Sequence, residues 1–166
     1  EGIEVHKDRL FGFIGDTVYF TKAFKPWSWP QGIGDAEVNF TFPVGNSDPI
    51  TGIKSFFDFF LIFKRDDIYV LSGDNEFNFR VDRLRSDERV GAVSNRAIDV
   101  IGNYCYFLGI NSFYRTNGIT VENVGEDLGD FFELNSNNTE FRINKSLIES
   151  SCSVYFKELN LWLVFV

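Results

Sequence analysis

The sequence predicts an all-β chain built from successive antiparallel sheets, and three observations carry that expectation. Of 166 residues, 44% are hydrophobic, and 20 Phe, 6 Tyr and 3 Trp sit beside no Met at all. Flat rings pack well on a pleated surface, so this balance favours strands over helices. Apolar runs broken by short polar turns recur along the chain, as hairpins require. Those hairpins also repeat at a nearly constant interval, which points to one structural unit used several times.

The repeat is legible residue by residue. DRLFGFIGDTVY (Asp8 to Tyr19) and DFFLIFKRDDIY (Asp58 to Tyr69) carry matching landmarks at Asp8 and Asp58, Phe13 and Phe63, Asp16 and Asp66, Tyr19 and Tyr69. In NYCYFLGINSFY, Asn103 takes the place of the acid, Phe107 that of Phe63 and Tyr114 that of Tyr69. A fourth copy, SVYFKELNLW, pairs Phe156 with Trp162. The closing aromatics fall at Tyr19, Tyr69, Tyr114 and Trp162, spaced 50, 45 and 48 residues apart. An interval of about 40 to 50 residues suits a four-stranded propeller blade, so the expected fold is a β-propeller of four-stranded antiparallel blades, about three and a half of them.

Local chemistry fills in the blades. Turns are expected at Gly15 and Asp16, Lys64 to Asp67, Gly109 to Asn111 and Lys157 to Asn160, where residue types tolerate tight backbone geometry. Gly73 and Gly118, each four residues past a Tyr, mark strand ends. Near-continuous apolar runs such as Phe59 to Phe63 read as strands buried on both faces. Period-2 alternation in Phe77, Phe79, Val81 and in Phe141, Ile143 reads as outer strands. One short helix is expected over Glu126 to Leu134, with Leu128, Phe131 and Phe132 on a shared face.

Length supports one domain, 1–166, a single partial propeller. The absence of an initiating Met and the bare hydrophobic strand from Leu161 to Val166 suggest an excerpt of a longer chain, whose remaining blades come from further sequence or another chain. A net charge of -8 and a pI near 4.6 argue against a surface that grips nucleic acid. No run approaches the roughly 20 apolar residues of a membrane helix, and no signal peptide is evident. Cys105 and Cys152 are too few for a disulfide scaffold and read as buried free thiols. Sequons at Asn39, Asn137 and Asn144 occur at chance frequency and decide nothing.

Catalytic chemistry finds little to work with. His6 is the single histidine, so no Ser-His-Asp, Cys-His or multi-histidine metal site assembles within the chain, and His6 itself reads as a surface residue beside Lys7 and Asp8. Asp66 with Asp67, Asp74 with Glu76, and Asp127 with Asp130 are the carboxylate pairs a glycoside-cleaving propeller would need, but each falls where a turn is expected. Asp74, Asn75 and Glu76 offer oxygen ligands for calcium without the spacing of an EF-hand. Phe24, Pro26, Trp27, Trp29 and Pro30 form a more unusual cluster, able to stack on sugar rings or dock on a partner, against a competing role in packing over the propeller face. No catalytic, cofactor-binding or metal-ligating residue is assigned, and no cofactor is expected.

Four stretches carry a family resemblance: KDRLFGFIGDTVYFTK (Lys7 to Lys22), DPITGIKSFFDFFLIFKRDDIYVLSGD (Asp48 to Asp74), VGAVSNRAIDVIGNYCYFLGINSFYRTNG (Val90 to Gly118) and VENVGEDLGDFF (Val121 to Phe132). Together they resemble the β-propeller tail structural proteins of tailed bacteriophages, the tail tubular (nozzle) and stabilisation components of short-tailed phages. The resemblance implies a non-catalytic virion protein, assembled in the host cytoplasm into an oligomeric ring around a DNA conduit. Its implied partners are other tail or portal-adaptor proteins and further copies of itself, with passing contact to DNA and none to membrane. A carbohydrate-binding or glycoside-cleaving propeller is the alternative. A cellular WD or Kelch propeller is a third reading, weakened by the missing Gly-His and Trp-Asp signatures.

Overall fold

The computed structural model describes residues 2–29, 41–75, 77–86, 89–133 and 143–166. Among them lie fourteen strands in four antiparallel sheets, each running up and down in sequence order with no crossover. The first sheet is β1 (Ile3–His6), β2 (Arg9–Ile14), β3 (Thr17–Phe20) and β4 (Thr41–Pro43). The second is β5 (Ile50–Phe56), β6 (Phe59–Lys64), β7 (Ile68–Ser72) and β8 (Arg80–Arg83). The third is β9 (Ile98–Ile101), β10 (Tyr104–Leu108), β11 (Phe113–Thr116) and β12 (Val121–Asn123). The fourth holds two strands, β13 (Cys152–Phe156) and β14 (Leu161–Phe165).

Tight turns follow from local chemistry. Lys7 and Asp8, both at positive φ (44° and 61°), close the β1–β2 hairpin in the primed geometry that matches strand twist. Gly73 and Gly118, expected at strand ends, follow β7 and β11 at φ 107° and 85°. The Asn78 and Asn117 side chains accept backbone N–H groups in those two loops, as turn-forming amides do.

Sheets pack face to face in sequence order, and alternation along a strand divides its side chains between two cores. On β6, Phe60 and Ile62 join Phe11, Phe13, Val18 and Phe20 of the first sheet. Leu61 and Phe63 point the other way and join Cys105, Phe107 and Tyr114 of the third. All four β6 residues are fully buried, which is why the run shows no polar alternation. A third core joins Val93, Ala97 and Leu108 to Ile148, Phe132 and Val164. The sheets meet most closely at their first strands: β1 lies beside β5, β5 beside β9, and β9 beside β13. Asn95, just before β9, is wedged into this seam. Its Oδ1 accepts the Ile53 N–H at 2.9 Å, and a methyl group on Gly2 would come within 2.6 Å of its amide.

Several sequence expectations are corrected by this register. The fourth hairpin exists, but it is out of phase: Phe156 and Trp162 lie on β13 and β14, with β13 beside the first strand β9, whereas Phe13/Val18, Phe63/Ile68 and Leu108/Phe113 belong to second hairpins. Lys157–Leu159 forms a 3-10 turn ending at Asn160 (φ 52°), so its length differs from the two-residue turns that open the other sheets. Phe107 takes the place of Ile62 rather than Phe63, since each pairs with an Ile of the first strand. Phe63 and Phe107 instead face each other across the interface, with ring centroids 5.1 Å apart. Phe77 lies in a turn and is 89% exposed, while Phe79 and Val81 pack on the first core. The short helix appears as a 3-10 turn (Glu126–Leu128) followed by α1 (Gly129–Phe132). Phe132 is buried and Leu128 is exposed, so the expected shared face holds only in part. Phe141 and Leu134 lie outside the described residues.

This packing separates large from small mutational effects. Phe63→Ala should lower unfolding free energy by about 3–5 kcal/mol, because a ring buried between two sheets leaves a cavity. Phe77→Ala should stay within about 0.5 kcal/mol. Urea denaturation of the two variants measures the contrast, and equal losses would contradict the two-core arrangement.

Candidate functional site

Up-and-down sheets have two chemically distinct ends. The β1–β2, β5–β6 and β9–β10 turns lie at one end. The β2–β3, β6–β7 and β10–β11 turns and the sheet-to-sheet connections lie at the other. At the second end the connections frame a cleft of about 800 Å³. Three contributions build it: Asp48 to Thr51 entering β5, Arg65 to Asp67 in the β6–β7 turn, and Val93 to Arg96 entering β9. Glu149, in a 3-10 turn before β13, completes the wall.

The cleft is polar and internally paired. Arg65 donates to Glu149 at 2.9 Å, tying the second sheet to the connection that precedes the fourth. Asp67 is paired with Arg83 of β8. Thr51 Oγ1 donates to the Ala92 carbonyl at 2.6 Å, and Phe13, Ile50 and Val93 supply buried apolar lining. No histidine or cysteine lines it, so a hydroxyl or thiol nucleophile has no imidazole partner there. What remains is a set of hydrogen-bonding and ionic groups suited to holding loops in register or receiving a polar surface.

Of the carboxylate pairs singled out from sequence, Asp66 and Asp67 line this cleft. Asp74 lies at the opposite end, where Lys7 donates to it at 2.7 Å and holds its carboxyl below the usual range. Asn75 Oδ1 accepts the Phe77 N–H in the same turn, and Glu76 lies outside the described residues. Asp127 and Asp130 are exposed in the turn and short helix after β12, away from the cleft. Among the described residues, no group of three or more His, Cys, Asp or Glu is placed to hold a metal ion.

The aromatic loop divides. Trp27 and Phe24 are each 74% exposed. Trp29 is half-buried and lies across Gly12 on the outer face of the first sheet, where a methyl group would sit 3.6 Å from its indole. Pro30 lies outside the described residues, as do Asn39 and Asn137. Asn144 is exposed, and its Oδ1 accepts the Ser146 N–H at 3.1 Å.

His6 departs from expectation: it is 4% exposed, not a surface residue. Alternation along β1 points it, with Glu4, toward the second sheet. Its Nδ1 shares a 2.9 Å hydrogen bond with Ser55 Oγ, and the rings of Phe11 and Phe60 flank it. Burial, aided by the charge of Lys7 and opposed by Asp58, lowers its pKa to about 4. Cys105 is buried as expected, and burial pushes its thiol up to about 12; Cys152 is half-exposed, and both are free.

Lys64, expected in a turn, instead ends β6 and is 1% exposed. Its ammonium donates to the Asn46 carbonyl and, at 2.9 Å, to Asn46 Oδ1, and lies 5.8 Å from the Tyr69 ring centroid. Burial lowers its pKa while Asp16, Asp48 and Asp67 pull the other way. Two glycines make room for this pillar. A Cβ on Gly45 (φ 59°) would collide with the Tyr69 hydroxyl, and one on Gly91 with the Lys64 carbonyl. Sequence reasoning missed Lys64, Asp48, Asn95, Arg96 and Glu149. The available signal was their position, since most sit immediately before the first strand of a repeat.

Comparison of the chain with models of known protein families and with curated proteins finds no match.

The buried neutral His6 sets a pH dependence. Its folded pKa is depressed below the ordinary 6.5, so its contribution is fully present above pH 6.5 and is lost as pH falls toward 4. The loss should reach about 3 kcal/mol, from roughly 1.4 kcal/mol per pH unit. Urea denaturation at pH 7 and 4.5 should show the wild type losing more stability on acidification than His6→Gln; parallel losses would refute the assignment.

Proposed function

We propose that the chain is a run of β-propeller blades serving as a non-catalytic structural element, of the kind built into the tails of short-tailed bacteriophages. One observation carries the architecture: the first strands β1, β5, β9 and β13 lie side by side in sequence order, while each sheet packs face to face on the next. Sheets that converge along one edge fan around a common line, as propeller blades do. In this reading β13 and β14 are the inner half of a blade.

The role rests on the resemblance, three of whose four segments fall on the first three strands of a sheet, while Val121 to Phe132 covers β12 and α1. Lys7 to Lys22 spans β2 and β3, Asp48 to Asp74 spans β5 to β7, and Val90 to Gly118 spans β9 to β11. An oligomeric ring of such chains, each carrying a net charge of -8, presents an acidic conduit past which a DNA polyanion slides rather than sticks. Tail or portal-adaptor proteins are the partners this role implies, with the virion as its place. Trp27 and Phe24, exposed in one loop, favour sugar binding as the second reading.

Electron microscopy of the purified protein should show ring-shaped oligomers with a central channel, and mass spectrometry of purified particles from the source culture should find the chain among virion proteins. Bladeless particles, or absence from virions, would overturn the proposal. A glycan array that binds the wild type and loses signal with Trp27→Ala would establish the second reading instead.

A further inference from the structure

The cleft between the sheets holds hydrogen-bonding capacity that the fold itself does not spend. Ser94, Asn95 and Arg96 line it in succession, where the chain enters β9 through a 3-10 turn at Asn95–Ala97. Ser94 is 8% exposed, and its Oγ accepts the Arg96 N–H at 3.4 Å. Among the described residues, its own hydroxyl proton reaches no acceptor. A buried hydroxyl that lines a cleft with its donor unused is rare in a folded chain and points to something the cleft receives. Asn95 Oδ1 is committed to the Ile53 N–H at 2.9 Å, which fixes the amide and leaves its NH2 without a described acceptor. Arg96 is exposed, and its guanidinium makes no ion pair with a described residue.

Acceptors come from the other connections. Asp66, in the β6–β7 turn, is exposed with no described partner, and Asp48, ahead of β5, accepts from Asn46. The groups that position these walls are already paired, Arg65 with Glu149 and Asp67 with Arg83, so the site stands formed before a ligand arrives.

Charge decides which ligand fits. Among the described residues, four carboxylates (Asp48, Asp66, Asp67, Glu149) and two guanidiniums (Arg65, Arg96) line the cleft. A phosphate or sulfate meets a carboxylate majority, and a polycation is opposed by both arginines. A neutral polyhydroxylated molecule meets neither penalty. Each of its hydroxyls both donates and accepts, so the donors at Ser94 to Arg96 and the acceptors at Asp48 and Asp66 are served together, and hydrogen bonds to charged groups are the strong kind. Its C–H faces suit the apolar lining of Phe13, Ile50 and Val93, and about 800 Å³ lies within the range of small-molecule sites.

We infer that the cleft binds a neutral oligosaccharide, with Ser94, Asn95 and Arg96 donating to its hydroxyls and Asp48 and Asp66 accepting from them. This site is separate from the exposed loop of Phe24 and Trp27, and it requires neither a ring of chains nor a place in a virion.

Isothermal titration calorimetry of the purified protein against neutral oligosaccharides of glucose, galactose, mannose and N-acetylhexosamines should find a binder. Sialylated and sulfated oligosaccharides and spermidine should bind at least tenfold more weakly. Asp66→Asn and Arg96→Ala, both at exposed positions, should each weaken the binder by about ten- to a hundredfold, as loss of a hydrogen bond to a charged group does. Trp27→Ala should bind as the wild type does. A panel without a binder, tighter binding of a charged probe, or unchanged affinity in either cleft variant would overturn the inference. Loss of binding in Trp27→Ala would do the same and move the sugar to the aromatic loop. Amide chemical shifts of the wild type check the location without any variant: Thr51, Asp66, Asp67, Asn95 and Arg96 should move on adding the binder, and shifts confined to Phe24 to Trp29 count against the cleft. Ring formation in electron microscopy bears on the structural role alone, so the two readings fail separately.

Discussion

The strict alternation of side chains along a strand governs this molecule. A strand sends successive residues to opposite sides, so a sheet between two others needs apolar residues at every position, and β6 provides them in Phe60, Leu61, Ile62 and Phe63. Shifting that strand by one residue would exchange the two cores wholesale. The sheet order, the close approach of the first strands and the seam holding Asn95 all presuppose this register.

Several polar groups buried in the stack find hydrogen-bond partners there. Lys64 finds two oxygens of Asn46, His6 finds Ser55, and Asp99 accepts from both Trp162 and Ser153. Each of these pairs joins residues more than a dozen positions apart and links different parts of the stack, so each fixes the relative placement of its partners as well as satisfying desolvated groups. Apolar burial is non-directional, and these directional bonds at the margins of the cores add a second constraint on register.

Much of the fold was legible because its signals are local. Hairpin runs, turn residues and the glycines after β7 and β11 act over a few positions, and the repeated aromatics report the sheet interval. The phase of the last repeat was not legible, since Phe156 and Trp162 fit the aromatic landmarks of a second hairpin while pairing as a first one. Phe107 was assigned to the wrong face for a related reason: aromatic identity says nothing of register when both faces are apolar. His6 was misplaced because its polar neighbours Lys7 and Asp8 form the turn, whereas the strand before them points the imidazole inward. The cleft was hardly visible at all, as Asp48, Asn95 and Glu149 come together only through the connections between sheets.

Because every core joins sheets that are neighbours in sequence, the protein resembles a short one-dimensional lattice more than a sphere. A unit's resistance to opening then depends on how many of its flanks are clasped. The second and third sheets, each packed on both faces, are expected to let go last.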